Sequence, residues 1–484
     1  MTKAIRVLIA MALFVGARNS VWASYCIYVG KNLTADGSVF LAGYGDEPSS
    51  HWLEIVPARE WPAGATIKVG ATAASQYPGV LIEIPQVRST AKYITMNYSS
   101  FAGFPPPITN GGLNQHLVAA RDVWSPSREE LRKMTPNPQR GLNYSDLSRI
   151  VMERARTARE AVEIVGELVN KYGYATYGGN SHLFADAEEG WVLIEFAGGQ
   201  GLWAAQRVGP DDVRVSRPGY IGEIPLDYQK NPGYRGSPNL ISFAVEKGWY
   251  DPKSGAPFNV NKMYGDGKMR HEAVVMMEER LRKLGGKIRI EEMIAAVRTT
   301  EVTRDSAGYG QVAHLRKAIP HPALGVLWVA AATPVTAPFV PFRLGVSDAP
   351  PEFKRHRYLT AGEADRFMDK EWQGIESTLY AYQAFKRLFY LTSEHRDQFL
   401  PEVTASLTGF EAGLIAAQPA VERTALKLFE AGESELASAY LTYYSNTEAM
   451  NGLRLTEALS VSIDARTKAQ FGIRQPQTST KPTK

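Results

Sequence analysis

Two short runs of apolar residues near the amino terminus predict a β-hairpin. Residues 26–30 (Cys-Ile-Tyr-Val-Gly) and 38–42 (Ser-Val-Phe-Leu-Ala) are rich in β-branched and aromatic side chains, as strands are. Between them lies Asp36-Gly37, a dipeptide typical of tight hairpin turns. The pattern therefore predicts two antiparallel strands, and Cys26 opens the first of them.

Farther along, short strand-like segments alternate with longer helix-like ones. Strands are predicted over residues 80–85, 93–98, 117–120, 181–185, 191–196, 202–207 and 323–331. Helices are predicted over residues 144–155, 157–173, 271–284 and 290–298. Thr157 with Glu160 three residues later is a capping-box pattern, and Gly173 is a helix stop.

The pattern becomes helical after Pro350 and Pro351. Apolar residues recur at helical spacing over residues 361–392, 402–417, 420–431, 433–445 and 451–471. Residues 475–484 are polar and contain proline, so we expect a frayed tail there. The layout predicts a mixed α/β unit over residues 26–350 and a helical extension over residues 351–474.

The first 23 residues have the three-part pattern of an export signal. Lys3 and Arg6 precede an apolar run over residues 7–17, and small or branched residues occupy positions 21 and 23. The run is too short to span a bilayer, which takes about 20 apolar residues. We expect cleavage after Ala23, with the mature protein soluble and either periplasmic or secreted.

Composition narrows the classes of function. Of 484 residues, 44% are hydrophobic and 21% charged, which excludes a disordered chain. The net charge of +4 is too small to indicate a nucleic-acid surface. One cysteine, Cys26, excludes an intramolecular disulfide and a cysteine-rich zinc site, and the eight histidines are scattered. The sequence contains neither a GxSxG elbow nor a phosphate-binding loop, so we expect no metal and no cofactor.

Cys26 lies two residues beyond the predicted signal cleavage site. Removal of Ser24 and Tyr25 would give the cysteine a free α-amino group. That amine is partly unprotonated at neutral pH, so it can take the thiol proton and return it to a leaving amine. One residue then supplies both nucleophile and base. The alternative is a small buried thiol with no role in catalysis.

Several segments of the chain, in the same order and spacing, resemble the dipeptidase A family of N-terminal nucleophile (Ntn) cysteine hydrolases. The similarity runs from Cys26 to about residue 400. The matching segments are Cys26-Ile-Tyr-Val-Gly, Thr34-Ala-Asp-Gly-Ser38, Gly45-Asp46, Ile84-Pro-Gln-Val87, Gly112-Leu-Asn-Gln-His116, Ser127-Arg-Glu-Glu-Leu131, Arg156-Thr-Ala-Arg-Glu-Ala161, Tyr172-Gly-Tyr174, Gly179-Asn-Ser-His182 and Gly190-Trp-Val-Leu193.

The resemblance implies an α+β fold, a four-layer αββα sandwich, that hydrolyses dipeptides or short peptides without a metal. It implies that Cys26 is the nucleophile and that Ser24-Tyr25 is a short propeptide. Asp46 would orient the terminal amine, unless it only forms a turn. Asn114 would donate to the oxyanion, from its side chain or its backbone, unless it only caps a turn.

Two positions depart from the family pattern. Gly43 stands where many members have an arginine, and Arg217 stands where a second oxyanion-binding asparagine is expected. Fold does not fix substrate, so an amidase or acylase acting on a non-peptide amide stays an alternative, as does an inactive exported binding protein. His116 and His182 lie in matching segments, but structural roles are expected for both. The sequence leaves homo-oligomerisation open.

Overall fold

The computed structural model describes residues 24–46, 51–99, 102–301, 303, 307–354 and 379–473. The predicted signal sequence and the predicted tail lie outside the described residues, as does most of the first predicted C-terminal helix. Strands are numbered along the chain: β1 Tyr25–Val29, β2 Val39–Gly45, β3 His51–Val56, β4 Arg59–Glu60, β5 Thr66–Gly70, β6 Leu81–Pro85, β7 Ser89–Thr90, β8 Tyr93–Tyr98, β9 Ile108–Thr109, β10 Gly111–Asn114, β11 Ala119–Trp124, β12 Asn180–Ala185, β13 Gly190–Glu195, β14 Trp203–Val208, β15 Val213–Ser216, β16 Glu223–Ile224, β17 Tyr234–Gly236, β18 Phe258–Asn259, β19 Tyr309–Leu315, β20 Val326–Ala330 and β21 Val340–Arg343.

Two antiparallel sheets form the centre of the protein. The six-stranded sheet has the order β15-β1-β2-β19-β20-β21. The nine-stranded sheet has the order β17-β14-β13-β12-β11-β10-β8-β3, and β9 pairs with β8. Strands β1 and β2 contact β11 and β12 of the other sheet. The fold is therefore mixed α/β with antiparallel sheets, as the pattern predicted.

The amino-terminal hairpin is confirmed. Strands β1 and β2 pair antiparallel, with Cys26 opposite Gly43. At the predicted turn, Gly37 has a φ of 72°, and the Ser38 amide donates to Asp36 Oδ1 at 3.1 Å. A positive φ is the conformation that glycine adopts without steric cost.

The nine-stranded sheet is buried on both faces. Along β13, Trp191 and Leu193 belong to one hydrophobic cluster, whereas Val192 and Ile194 belong to another. Because successive strand residues point to opposite faces, the sheet separates two cores. One core lies against the six-stranded sheet, and the other lies under two helices.

Helices cover the outer faces of the two sheets and form the C-terminal region. They are numbered along the chain: α1 Glu129–Lys133, α2 Tyr144–Arg154, α3 Ala158–Tyr172, α4 Leu240–Glu246, α5 Val260–Tyr264, α6 Glu272–Leu284, α7 Ile290–Arg298, α8 Ala381–Glu394, α9 Arg396–Glu430 and α10 Ser434–Phe471. Helices α2 and α3 contact strands of the nine-stranded sheet, and α6 and α7 contact strands of the six-stranded sheet. The α3 boundary is as predicted, since the Thr157 side chain accepts from the Glu160 amide at 3.0 Å.

Three predicted boundaries are wrong. The strand expected over residues 117–120 begins at Ala119, because Leu117 has a φ of 61° in a turn. Segments 402–417 and 420–431 form one helix, α9, that continues through Pro419. Segments 433–445 and 451–471 likewise form one helix, α10. A proline inside a helix costs about 3 kcal/mol, and packing between α9 and α10 offsets that loss.

The C-terminal helices share a core with the six-stranded sheet. Leu414, Val421 and Leu441 belong to the same hydrophobic cluster as Cys26. Arg298 on α7 donates to both carboxylate oxygens of Glu411 on α9, at 2.7 and 2.5 Å. None of the helices in the described part of the chain has the length and apolarity that a membrane span requires.

Candidate active site

Cys26 is the second residue of β1, a strand with neighbours on both sides. It lies opposite Gly43 on β2 and opposite Ser216 on β15. Every residue of β1 is buried, because one sheet face meets β11 and β12 while α6 and α7 cover the other. The sole thiol of the chain is therefore held on a rigid central strand and not on a loop.

Burial raises the pKa of the Cys26 thiol far above its ordinary value. Loss of hydration is the largest cause, and the Asp122 carboxylate adds to it, whereas the charge of Arg121 favours the thiolate. In this form of the chain, which still contains Ser24 and Tyr25, the thiol is neutral at physiological pH. A neutral thiol is a poor nucleophile.

Ser24 and Tyr25 are integrated into the fold. The Tyr25 hydroxyl donates to the Ala296 carbonyl at 2.7 Å, and its ring packs edge-to-face on Tyr44 with centroids 4.6 Å apart. The amino group of Cys26 is part of a peptide bond in this arrangement.

Asp46 directly follows β2 and lies beside the residues that precede Cys26. Its backbone amide donates to the Ser24 Oγ at 3.0 Å. Pairing of Tyr25 with Tyr44 places the end of β2 next to the start of β1. The hairpin thus brings the Asp46 backbone beside Ser24, two residues before Cys26. The catalytic role of Asp46 stays a prediction.

Gly43, which departs from the family pattern, has a steric reason to be glycine. Its φ is 155°, and a Cβ added there would overlap the carbonyl oxygen of Tyr25 and lie 3.0 Å from the Cys26 Cα. Any larger residue would push β1 away from β2. The arginine that many family members have at this position has no room here.

Asn114 is held by several hydrogen bonds within the fold, and its role as an oxyanion donor stays a prediction. Its side-chain amide donates to the carbonyls of Met152 and Ala155, at 3.2 and 2.7 Å. Its side-chain oxygen accepts from the amides of His116 and Val118, both at 3.0 Å. Its backbone amide donates to Val118 O at 3.0 Å. Because all of its N–H groups are used, Asn114 ties the β10–β11 turn to the end of α2.

Arg121 and Asp122 on β11 are the charged residues that the sequence analysis missed. Both are buried, at 0% and 3% exposure, and both influence the Cys26 thiol electrostatically. Arg121 donates to the hydroxyl of Tyr309, and Asp122 accepts from the Asn180 side chain at 3.2 Å. Two adjacent charged residues inside the otherwise apolar segment Ala-Ala-Arg-Asp-Val-Trp could have indicated this part of the site, because buried charges often belong to functional sites.

Arg217 lies close to the start of β1, whereas His182 is buried in the nine-stranded sheet and pairs with Glu195. Arg217 directly follows Ser216, the residue paired with Cys26, and its charge acts on Tyr25. His182 is fully buried, and its Nδ1 lies 2.7 Å from Glu195 Oε1. Burial lowers the pKa of His182, but the charge of Glu195 and its hydrogen bond outweigh this, so the net direction is upward. This pair joins β12 to β13 and matches the structural role expected.

Across the described ranges, no group of three or more His, Cys, Asp and Glu side chains is arranged to hold a metal ion.

Comparison with known proteins identifies the family. Residues 23–275 match the model of peptidase family C69, which is more than half of the chain, so the protein belongs to that family. It is a hydrolase of the peptidase class, and the resemblance drawn from the sequence motifs is confirmed.

Two curated proteins that are similar in sequence to this chain are named as probable dipeptidases. The chain is 24% identical over 364 residues to a "Probable dipeptidase" of Latilactobacillus sakei. The aligned region covers 66% of this chain and 74% of the relative. The chain is also 22% identical over 448 residues to a "Probable dipeptidase B" of Streptococcus pyogenes serotype M1, with 81% and 82% covered.

A solved structure, that of a mutant of the conjugated bile acid hydrolase from Clostridium perfringens, is 12% identical. The match covers 66% of this chain and 92% of that one, with a TM-score of 0.29. A similarity at this TM-score carries no argument about this chain.

Proposed function

We propose that this protein is an exported cysteine dipeptidase that uses Cys26 as an amino-terminal nucleophile. The observation that carries the proposal is the placement of the only thiol. Cys26 lies near the start of a buried central strand, and pairing of β1 with β2 brings Asp46 to the residues directly before it. The names of the curated relatives support dipeptides as substrates.

Maturation removes the signal sequence and then Ser24-Tyr25. The new α-amino group of Cys26 is formed two residues beyond Ser24, the residue that the Asp46 backbone amide now contacts. Loss of Ser24 and Tyr25 also exposes the start of β1 to water, so the desolvation that raises the pKa of the Cys26 thiol decreases while the charge of Arg121 stays. Maturation therefore makes both a base and a better nucleophile.

Catalysis follows from these two groups. The amine of Cys26 takes the thiol proton, and Sγ attacks the scissile carbonyl of the substrate. The C–N bond breaks, the departing amine takes the proton from the Cys26 ammonium, and an acyl thioester remains. Water, deprotonated by the same amine, hydrolyses the thioester. The Asp46 carboxylate orients the amine and stabilises its charged form.

We also propose that the fold is the four-layer αββα sandwich of Ntn hydrolases. Its support is the separation of two cores by the nine-stranded sheet, with Trp191 in one core and Val192 in the other. Contacts of α2 and α3 on one side, and of α6 and α7 on the other, fit outer helical layers. The proposed unit spans residues 26–350, followed by the helical region.

The test is dipeptide hydrolysis by the wild-type protein and by Cys26→Ala and Cys26→Ser. Loss of the nucleophile should lower kcat at least about 10³-fold, as in other enzymes with covalent catalysis. Serine keeps the shape of the residue but not its thiolate chemistry, so Cys26→Ser should be nearly as inactive. Full turnover by Cys26→Ala would exclude the proposed mechanism.

A further inference from the structure

Ser216 is a direct neighbour of Cys26 across two paired strands. It lies on β15 opposite Cys26 on β1. Residues directly opposite one another in antiparallel strands project to the same face of the sheet, with Cβ atoms about 4.5–5.5 Å apart. Tyr25, one residue before Cys26, reaches the Ala296 carbonyl on α7 with its hydroxyl. Because neighbouring strand residues alternate, the side chains of Cys26 and Ser216 project away from α7, towards β11 and β12.

The hydroxyl of Ser216 is buried without a partner. Ser216 is 1% exposed, and within the described part of the chain its Oγ makes no hydrogen bond, not even to the sulfur of Cys26. An unpaired polar group in a protein interior is unfavourable, so its presence in a native fold needs an explanation. A reacting group that supplies the missing partner is such an explanation.

The opposite neighbour of Cys26 has no side chain. Gly43 is paired with Cys26 on β2, and a Cβ there would overlap the carbonyl oxygen of Tyr25. Of the two residues that flank Cys26 within the sheet, only Ser216 therefore places a polar side chain beside the thiol.

The proposed reaction creates a negatively charged oxygen next to the sulfur. When Sγ attacks the scissile carbonyl carbon, the electron pair of the C=O π bond moves to the oxygen. A donor that is already in place and shielded from water stabilises that charge without reorganisation. As the intermediate collapses, the electron pair returns, the C–N bond breaks, and the leaving nitrogen takes the proton of the Cys26 ammonium. The hydroxyl beside the thiol keeps its own proton throughout.

We infer that the Ser216 hydroxyl donates a hydrogen bond to the oxyanion formed when Cys26 attacks the substrate. The inference rests on the proposed function and adds a catalytic residue to it. A Cβ separation of about 5 Å brings the hydroxyl within reach of an oxygen bonded to the carbon that Sγ attacks. The charge of Arg121, which favours a negative charge at Cys26, acts in the same direction.

The test is dipeptide hydrolysis by Ser216→Ala. We expect kcat to fall about 10²–10³-fold, the usual cost of removing one side-chain oxyanion donor, and KM to change less than about threefold. Rates are expressed per molecule that begins at Cys26, counted by intact mass, so that slower processing does not enter the comparison. An unchanged kcat would overturn the inference.

Two further measurements distinguish an oxyanion donor from a structural serine. Iodoacetamide reacts at a saturated carbon and forms no tetrahedral oxyanion, so its rate with Cys26 should stay within about twofold of wild type in Ser216→Ala. The urea midpoint should not fall, because alanine removes a hydroxyl that has no partner in the described part of the chain. Loss of folding, or alkylation that slows in parallel with kcat, would overturn the inference.

Two other serine variants provide the controls. Ser216→Thr keeps the hydroxyl, so its kcat should exceed that of Ser216→Ala about tenfold. Ser148→Ala removes another fully buried hydroxyl, which lies 3.1 Å from His182 Nε2 on α2, the helix that covers the other face of the nine-stranded sheet. Its kcat per folded molecule should stay within about twofold of wild type. Equal losses of kcat in Ser148→Ala and Ser216→Ala would contradict the inference.

The outcomes separate this inference from the proposed function. Full kcat in Ser216→Ala, together with loss of turnover in Cys26→Ala, would overturn the oxyanion role and leave the nucleophile in place. Full turnover by Cys26→Ala would overturn the proposed function, and the inference with it.

Discussion

At the scale of single residues, Arg121 is the group expected to make the Cys26 thiol reactive. Its guanidinium is buried, and its charge lowers the pKa of Cys26 against the effect of burial. Arg121→Gln should therefore raise the thiol pKa in the mature protein and slow alkylation by iodoacetamide at pH 7 about tenfold. Arg132→Gln, on the exposed side of α1, is the control. Equal alkylation rates in wild type and Arg121→Gln would remove Arg121 from the site.

A second residue-scale prediction concerns Asn114. Asn114→Asp replaces a double donor with oxygen, which then faces the carbonyls of Met152 and Ala155. The free energy of unfolding should fall by about 2–3 kcal/mol, measured by urea denaturation, while kcat per folded molecule is retained. A 100-fold loss of kcat with unchanged stability would instead support the oxyanion role that the resemblance implies for Asn114.

The position of Asp46 relative to Cys26 could be predicted from the sequence, because both belong to one hairpin whose strands are close along the chain. Once Cys26 and Gly43 pair, Asp46 must lie near the residues before Cys26, so the sequence distance between them is informative. The proximity of Arg121 to Cys26 could not be predicted from the sequence, because it depends on how the two sheets pack against each other. Asn114 matched a motif, but a motif does not show which of its possible partners an amide binds.

At the scale of elements, Glu278 fixes α6 to the strand beside Cys26. Its carboxylate accepts from the Val215 amide at 2.8 Å and pairs with Arg270 and Arg282. Burial raises the pKa of Glu278, but the hydrogen bond from Arg270, the Val215 amide and the two arginine charges outweigh it, so the pKa lies below its usual value. Stabilisation of this kind exists above the unfolded-state pKa and is lost as pH falls through the folded-state value.

Glu278→Gln should therefore lower the free energy of unfolding by about 1–3 kcal/mol at pH 7. The difference from wild type should shrink as the pH is lowered below about 4, where the unfolded carboxyl is protonated. Urea denaturation at several pH values measures it. Glu279→Gln, one residue along and exposed, is the control and should show little change. A difference that is equal at pH 7 and pH 3 would exclude the ionic contribution.

Elements with strong local patterns were predictable, and those that depend on tertiary contacts were not. Helix α7 was predicted with its observed bounds, because its apolar positions repeat at helical spacing. Strand β19 was missed, since Gly310, Gln311 and His314 interrupt its apolar pattern, and only pairing with β2 and β20 makes it a strand. The continuity of α9 through Pro419 was also missed, because packing overrides the cost of one lost hydrogen bond.

At the scale of the whole molecule, the helical region is attached by a buried ion pair. Arg298 and Glu411 are 8% and 4% exposed, and Glu411 also accepts from the Phe339 amide at 2.8 Å. Glu411→Ala leaves the arginine buried without its carboxylate, so the free energy of unfolding should fall by about 3–5 kcal/mol. Differential scanning calorimetry and urea denaturation measure the loss.

The matched control is an exposed pair between α9 and α10. Arg466 and Glu402 are 38% and 41% exposed, so Glu402→Ala should cost at most about 1 kcal/mol. Losses of equal size in the two variants would show that burial does not distinguish these pairs. The helical region would then be held by its shared apolar core, to which Leu414 and Leu441 belong.

The proposed mechanism requires a mature chain that begins at Cys26. The most direct measurement is the intact mass of the purified protein, taken from the same sample that hydrolyses a dipeptide. We predict a single mass for residues 26–484, and we predict that turnover appears in proportion to that species during maturation. Full turnover by a protein whose mass shows that Ser24 and Tyr25 are still attached would contradict the account.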